Sequence, residues 1–249
     1  MRKKVPKIRT VDIARRANIH VNTVRFYERI GLISEVPRDA NNYRIFSEQH
    51  LYQVLVLRYL FLDEWPGKTV RKASYGIIEA MKQWDIQTAL QQCSDYLKII
   101  QKEIDKTTKA VAIIKDWPSS VSHNKKKTVL DFRQAAKILG TTRETIRNWE
   151  RNRLIFIPRK GSNNSRYFTK KELDRLRVIY MLRQSRISIA AIFQALRLLD
   201  QGKRQEAVDS LELPDIESVI STGDHVLEAL CHTRSKATEL SAFLQTIPI

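Results

Sequence analysis

Cysteine, glycine and proline are scarce in this chain: 2, 7 and 7 of 249 residues. Two cysteines, Cys93 and Cys231, cannot build a disulfide scaffold or a zinc finger, and they fit a reducing cytosolic compartment. So little glycine and proline argues against a turn-rich all-β fold and for a mainly helical one. Long apolar runs are missing too. The best candidate, 54–62, is broken by Arg58, so no transmembrane helix is expected. The N-terminus is basic, but Arg9, Asp12, Arg15 and Arg16 interrupt any apolar stretch behind it, so no signal peptide is expected. There is no nucleophile–base constellation and no phosphate-cradling glycine loop, so no enzyme is expected. His225, Cys231 and His232 do not make a ligand set: Cys231 and His232 are sequence neighbours that project differently, and His225 lies two turns from His232. No metal and no cofactor is expected. No residues follow Ile249 to form a drug-binding domain, so none is expected either.

What the chain does have is positive charge, +17 in all. That excess points to a polyanionic partner, usually nucleic acid and sometimes an anionic membrane surface. It sits in two blocks. Residues 1–84 carry net +8 and 123–212 carry net +12, whereas 85–122 are neutral and 213–249 carry −3. A surface charged only for solubility would spread it more evenly.

The two basic blocks repeat one another. Shifted by 122 residues without gaps, 14–60 and 136–182 share 14 identities in 47 positions, among them Thr23/Thr145, Arg25/Arg147, Glu28/Glu150, Arg44/Arg166 and Phe46/Phe168. Two copies are too few for a solenoid, so a duplicated domain is expected. In the first copy the pattern predicts a helix over 11–18 with Ile13, Ala14 and Ala17 inward. A second helix, capped by His20 or Asn22, runs to Arg29, and Gly31 stops it in a left-handed cap. A hairpin follows around 37–42, then helices from Ser47 and over 70–81. The second copy reads alike: helices 133–139 and 143–151, a wing around 159–166, and helices 169–182 and 188–199. Helix, tight turn, helix and wing make a winged helix-turn-helix.

The run Thr23-Val24-Arg25-Phe26-Tyr27-Glu28-Arg29-Ile30-Gly31-Leu32-Ile33, with Tyr43, Arg44 and Phe46 in the wing, resembles the MerR family of transcription regulators. The resemblance covers 8–80 well and 130–200 fairly well. It implies that the second helix enters the DNA major groove and that the wing grips phosphates. The second copy departs from the pattern, with Asn148, Trp149 and Arg153 at the positions of Phe26, Tyr27 and Gly31. Its half-site should therefore differ.

The candidate DNA-binding residues are Val21, Asn22, Arg25, Tyr27, Arg38, Asn42, Tyr43 and Arg44, with Thr142, Arg143, Arg147, Trp149, Lys160, Asn164, Arg166 and Tyr167. An arginine on the exposed face of such a helix can fork onto guanine or hold a phosphate. Arg25 and Arg147 could instead pair with Glu28 and Glu150 one turn on. Tyr27 and Trp149 could instead pack the helix onto its wing. Phe26, Glu144 and Asn148 are expected on the same DNA-facing surfaces.

Two heptad stripes fill the other blocks. One runs Leu90, Cys93, Leu97, Ile100, Ile104, Thr107, Val111, Ile114; the other runs Val219, Gly223, Val226, Leu230, Thr233, Ala237, Leu240, Leu244, Ile247. Each predicts a helix of roughly 50 Å that needs a partner. MerR-like proteins pair one such helix per subunit, antiparallel. This chain holds both, so the expected fold is mainly α: two winged helix-turn-helix domains joined by an intramolecular antiparallel coiled coil, a dimer fused into one polypeptide. The expected parts are 1–84, 85–117, a linker 118–127, 128–212 and 213–249. Trp65, Trp84 and Trp117 either line a small pocket beside the long helices or pack a core.

The function read from all this is sequence-specific binding of double-stranded DNA to regulate transcription. The site should be an asymmetric promoter operator bound by a monomer in the cytoplasm, on the nucleoid. The resemblance implies distortion of the promoter spacer for RNA polymerase. The alternatives are a structural nucleoid or chromosome-segregation protein and an excisionase-like recombination accessory factor.

Overall fold

Scarce glycine and short amphipathic stripes produce helices almost throughout. The computed structural model describes residues 8–61, 67–115, 117, 129–201 and 216–248, the side chains of 216–222 excepted. Among these the protein is mainly α, with ten helices and one two-stranded sheet. The linker expected at 118–127 and Trp65 lie outside the described residues, as does the side chain of Val219. No described helix is long and apolar enough to cross a membrane. The chain divides into two compact units, 1–101 with 229–249 and 102–228. Each holds one copy of the repeat and a stretch of each long helix.

In the first unit, α1 (Thr10–Ala17) buries Ile13, Ala14 and Ala17 and ends on Asn18 at φ 51°. His20 caps α2 (Val21–Arg29): its Nδ1 accepts from the Asn22 N–H at 3.2 Å. Gly31, at φ +70°, lets the chain leave α2 in the left-handed conformation. A short turn held by bridges Arg38–Arg44 and Ile8–Phe46 forms the wing. Helices α3 (Glu48–Phe61) and α4 (Lys68–Lys82) follow, then the first part of α5 (Ile86–Lys115).

Two buried polar side chains on α3 fasten the wing, and neither stood out in the sequence. His50 Nδ1 accepts from the Ser47 N–H at 2.9 Å, so its Nε2 donates to the Glu35 carbonyl at 3.1 Å. Gln53 accepts from the Ser34 N–H at 2.9 Å and donates to the Met81 carbonyl at 2.9 Å. The second unit repeats both positions with other chemistry. Glu172 accepts from the Thr169 N–H at 2.8 Å, and Arg175 donates to the Leu154 carbonyl at 2.7 Å.

His50 gives the first unit a pH dependence. Burial lowers its pKa, against a smaller opposing effect of the bond to Glu35. The unfolded chain therefore takes up the proton first as pH falls through about 6.5. Stability should be lost below that pH, with no contribution above it. Urea midpoints at about pH 7.5 and about pH 5.5 should separate for the native protein and converge in His50→Gln, which keeps an acceptor at that helix position.

The second unit repeats the plan with α6 (Phe132–Leu139), α7 (Arg143–Arg151), strands β1 (Arg159–Lys160) and β2 (Ser165–Arg166), α8 (Lys170–Gln184) and α9 (Ile189–Asp200). Asp131 and Gln134 form a capping box on α6, and Thr142 Oγ1 caps α7 by accepting from the Thr145 N–H at 3.1 Å. Arg153 stands where the first copy has Gly31 and takes the same left-handed turn at φ 60°.

The gapless register of the repeat does not hold inside the wing. Strand pairing matches Arg159 with Arg166 and Lys160 with Ser165. The Pro158 carbonyl accepts from Tyr167 N–H as that of Pro37 accepts from Ile45 N–H. The second copy thus loses a residue before Pro158 and gains one before Gly161. Its counterpart of Arg38 is Arg159, not Lys160.

The C-terminal helix α10 (Ile216–Gln245) buries the stripe expected of it from Gly223 on, with Val226 half-buried. Helix α5 departs from expectation. Its buried positions are Ile86, Ala89, Cys93, Tyr96, Ile100, Glu103, Thr107, Ala110, Val111 and Ile114. Cys93, Ile100, Thr107, Val111 and Ile114 hold, but Leu90, Leu97 and Ile104 are only half-buried, and their preceding neighbours face inward instead. Small Ala89 and Ala110 permit close approach, and Glu103 is satisfied by the Tyr180 hydroxyl at 2.9 Å and Lys106 Nζ at 2.6 Å. In the first unit Cys93 Sγ meets the Ala237 carbonyl at 3.5 Å and Arg234 donates to Gln101 at 2.7 Å, so the two helices run antiparallel there.

Candidate nucleic-acid interface

On α2 the apolar residues Val24 and Tyr27 turn inward, which leaves Asn22, Arg25, Phe26 and Arg29 exposed. The wing meets this face through one carboxylate. Arg44 Nε donates to Glu28 Oε2, and Arg38 lies 3.7 Å from Glu28 Oε1. A shallow groove results, lined by Asn22, Arg25, Phe26, Glu28, Arg29, Arg38 and Arg44. Glu28 is thus taken by the wing. Arg25 has no ion-pair partner among the described residues, and its side chain remains available on the surface.

The second unit builds the same clamp from the equivalent residues. Arg166 Nε donates to Glu150 Oε2 at 2.8 Å, and Arg159 lies 3.7 Å from Glu150 Oε1. Arg147 does not pair with Glu150; it lies 3.6 Å from Glu144, which also binds Arg151 at 2.7 Å. The groove opens elsewhere, between α6, the start of α7 and the wing, lined by Asp131, Phe132, Arg133, Arg143, Arg147, Asn163, Asn164, Ser165 and Arg166.

Of the candidate residues, Asn22, Arg25, Arg38, Asn42, Tyr43, Thr142, Arg143, Arg147, Lys160 and Asn164 are exposed, and Val21, Arg44, Arg166 and Tyr167 are half-buried. Asn42 and Asn164 turn the two wing tips at φ 63° and 52°. Two candidates are corrected. Tyr27 is 6% exposed and Trp149 4%, so both rings belong to the core and not to the DNA-facing surface. They occupy the inward position three residues after Val24 and Ile146, where helical geometry places the next buried side chain. The grooves are also lined by Arg29, Phe132 and Arg133, and Arg159 joins the second clamp, none of them among the candidates. The signal for Arg159 was the Pro-Arg pair shared by 37–38 and 158–159, hidden by a gapless alignment.

The thiols take no part in this surface. Cys93 is buried, and desolvation pushes its pKa up to about 11; Cys231 is exposed. Among the described residues no three His, Cys, Asp or Glu side chains cluster as a metal site. A thiol reagent should modify one cysteine per native chain and the second only on unfolding, since a protonated buried thiol is inert. Rapid reaction of both in the native protein would contradict the burial of Cys93.

Comparison with known proteins agrees with this geometry. A model of the MerR family regulatory proteins matches residues 9–46, and one of the MerR HTH family regulatory proteins matches 131–199. The chain is 35% identical over 105 residues to an HTH-type transcriptional regulator ZntR homolog of Haemophilus influenzae, covering 42% of this chain and 76% of that protein. It is 36% identical over 47 residues to the HTH-type transcriptional regulator CueR of Escherichia coli, covering 19% of this chain and 35% of the relative. It is 40% identical over 43 residues to the mercuric resistance operon regulatory protein of Bacillus cereus, covering 17% and 33%. No solved structure matches the chain. With a helix-turn-helix and arginine-clamped wing in each unit, and both copies matched, this chain belongs to the MerR family, as a DNA-binding transcription regulator with two tandem MerR-like domains, and is not an enzyme.

Proposed function

We propose that one chain works as a complete two-headed regulator. Heads 1–84 and 128–212 bind the two halves of one promoter operator. Segments 85–117 and 213–249 pair as the dimerisation helices of two subunits would, joined through 118–127. The protein acts on the nucleoid in the cytoplasm, distorts the spacer between the promoter elements and so presents them to RNA polymerase. One observation supports this above others: the equivalent helix faces share Arg25/Arg147 and Arg29/Arg151 but differ at Val21/Arg143, Asn22/Glu144 and Phe26/Asn148. A homodimer repeats its side chains and reads a palindrome; two unlike heads read an asymmetric site. The test is selection of bound sites from random DNA, with light scattering on the free protein. An asymmetric consensus and a mass near 29 kDa are expected. A palindromic consensus, or a stable species of twice that mass, would overturn the two-headed reading.

A further inference from the structure

One side chain of the second unit has an unusual setting. Phe132, the first residue of α6, has three guanidinium groups around its ring: Arg143 at 5.6 Å, Arg147 at 5.7 Å and Arg166 at 6.0 Å from the centroid. Phe168 meets it edge-on at 5.3 Å and braces it from the core. The cations come from α7 and from the wing, so one ring collects charges that the chain delivers from two elements. An aromatic face attracts cations through its quadrupole, each contact being modest and several adding. Like charges so close would otherwise repel one another.

These arginines keep hydrogen-bonding capacity for a ligand. Arg166 is tied to Glu150 through Nε alone. Arg143 has no hydrogen bond or ion pair among the described residues, and Arg147 stands 3.6 Å from Glu144, beyond hydrogen-bonding range. Asp131, the carboxylate among the groove's described lining residues, is engaged by the Gln134 N–H at 2.8 Å as the cap of α6. Three guanidinium forks converging beside a rigid ring suit an oxyanion with several acceptor oxygens. The corresponding position of the first unit is Thr10, which offers no ring.

We infer that Phe132 is a positioning residue that gathers Arg143, Arg147 and Arg166 into a cradle for one backbone phosphate of the DNA, and that the second head therefore grips while the first head discriminates. This rests on the reading that both heads bind DNA. The cradle contributes affinity that is independent of base sequence and steep in salt.

The experiment replaces Phe132 with pentafluorophenylalanine, which keeps the ring's shape and inverts its quadrupole, and compares it with Phe132→Tyr and Phe132→Leu. Affinity for the selected site is measured across a salt series, with footprints and the thermal transition recorded for each protein. The fluorinated variant should stay folded and bind about tenfold more weakly. The slope of log affinity on log salt should become shallower by about 0.9, one phosphate's share, with the base consensus unchanged. Phe132→Tyr should restore native binding, and Phe132→Leu should behave as the fluorinated protein does. An unchanged slope in a folded fluorinated variant whose footprint spans both half-sites overturns the cradle alone. A changed consensus in the second half-site overturns it as well, because the arginines would then be reading bases. A native footprint confined to one half-site overturns both the cradle and the two-headed reading beneath it.

Discussion

Trp149→Ala is expected to unfold the second helix-turn-helix instead of removing a DNA contact. The indole sits in a core cluster with Ile146, Leu154 and Phe168, all buried. Removing so large a ring leaves a cavity that the surrounding helices cannot fill, at a cost of about 3–5 kcal/mol. That is a large part of the roughly 5–15 kcal/mol that stabilises a typical domain. Urea unfolding followed by circular dichroism should show the midpoint falling sharply, with DNA binding lost along with structure. Trp149→Phe keeps most of the volume and should retain both. If Trp149→Ala instead kept the native midpoint and bound DNA weakly, the ring would belong on the DNA face after all.

The second large effect separates the two heads. Arg25→Ala should relax base preference in one half-site and cost about 1–3 kcal/mol there, the value of a bidentate base contact. Its guanidinium is unpaired among the described residues, and Glu28, the carboxylate that would have held it, is committed to the wing. Arg147 stands beside Phe132 and Glu144, so Arg147→Ala should behave otherwise. It should weaken all sequences alike and make the salt dependence shallower by about 0.9. Site selection with the native protein and both variants distinguishes the outcomes. Two variants that disturb the same bases would mean that the chain does not address DNA through two distinct heads.

The sequence alone determined the parts that depend on local pattern. Charge blocks, the repeat and the helix periods are properties of neighbouring residues, so the short helices fell within a few residues of expectation. The stripe of α10 was also legible, because from Leu230 on its apolar residues leave no second face to choose. What only the tertiary structure decided concerns competition for a partner. Leu90, Leu97 and Ile104 lost the centre of the α5 seam to Ala89, Tyr96 and Glu103, since close approach and a waiting hydrogen-bond partner can outweigh side-chain hydrophobicity. Glu28 and Glu150 could each have paired along their own helix; the wing arginines reached them first. Tyr27 and Trp149 went inward because the helix had to bury that face. Arg159 took the place of Lys160 because strand pairing, not residue counting, sets the register of a hairpin. His50 and Gln53 are polar letters within an apolar helix, and nothing in the sequence tells which distant backbone groups they satisfy. Such partners come together only when the chain has folded, which is why the exposed helix faces were readable in outline and their arginine geometry was not.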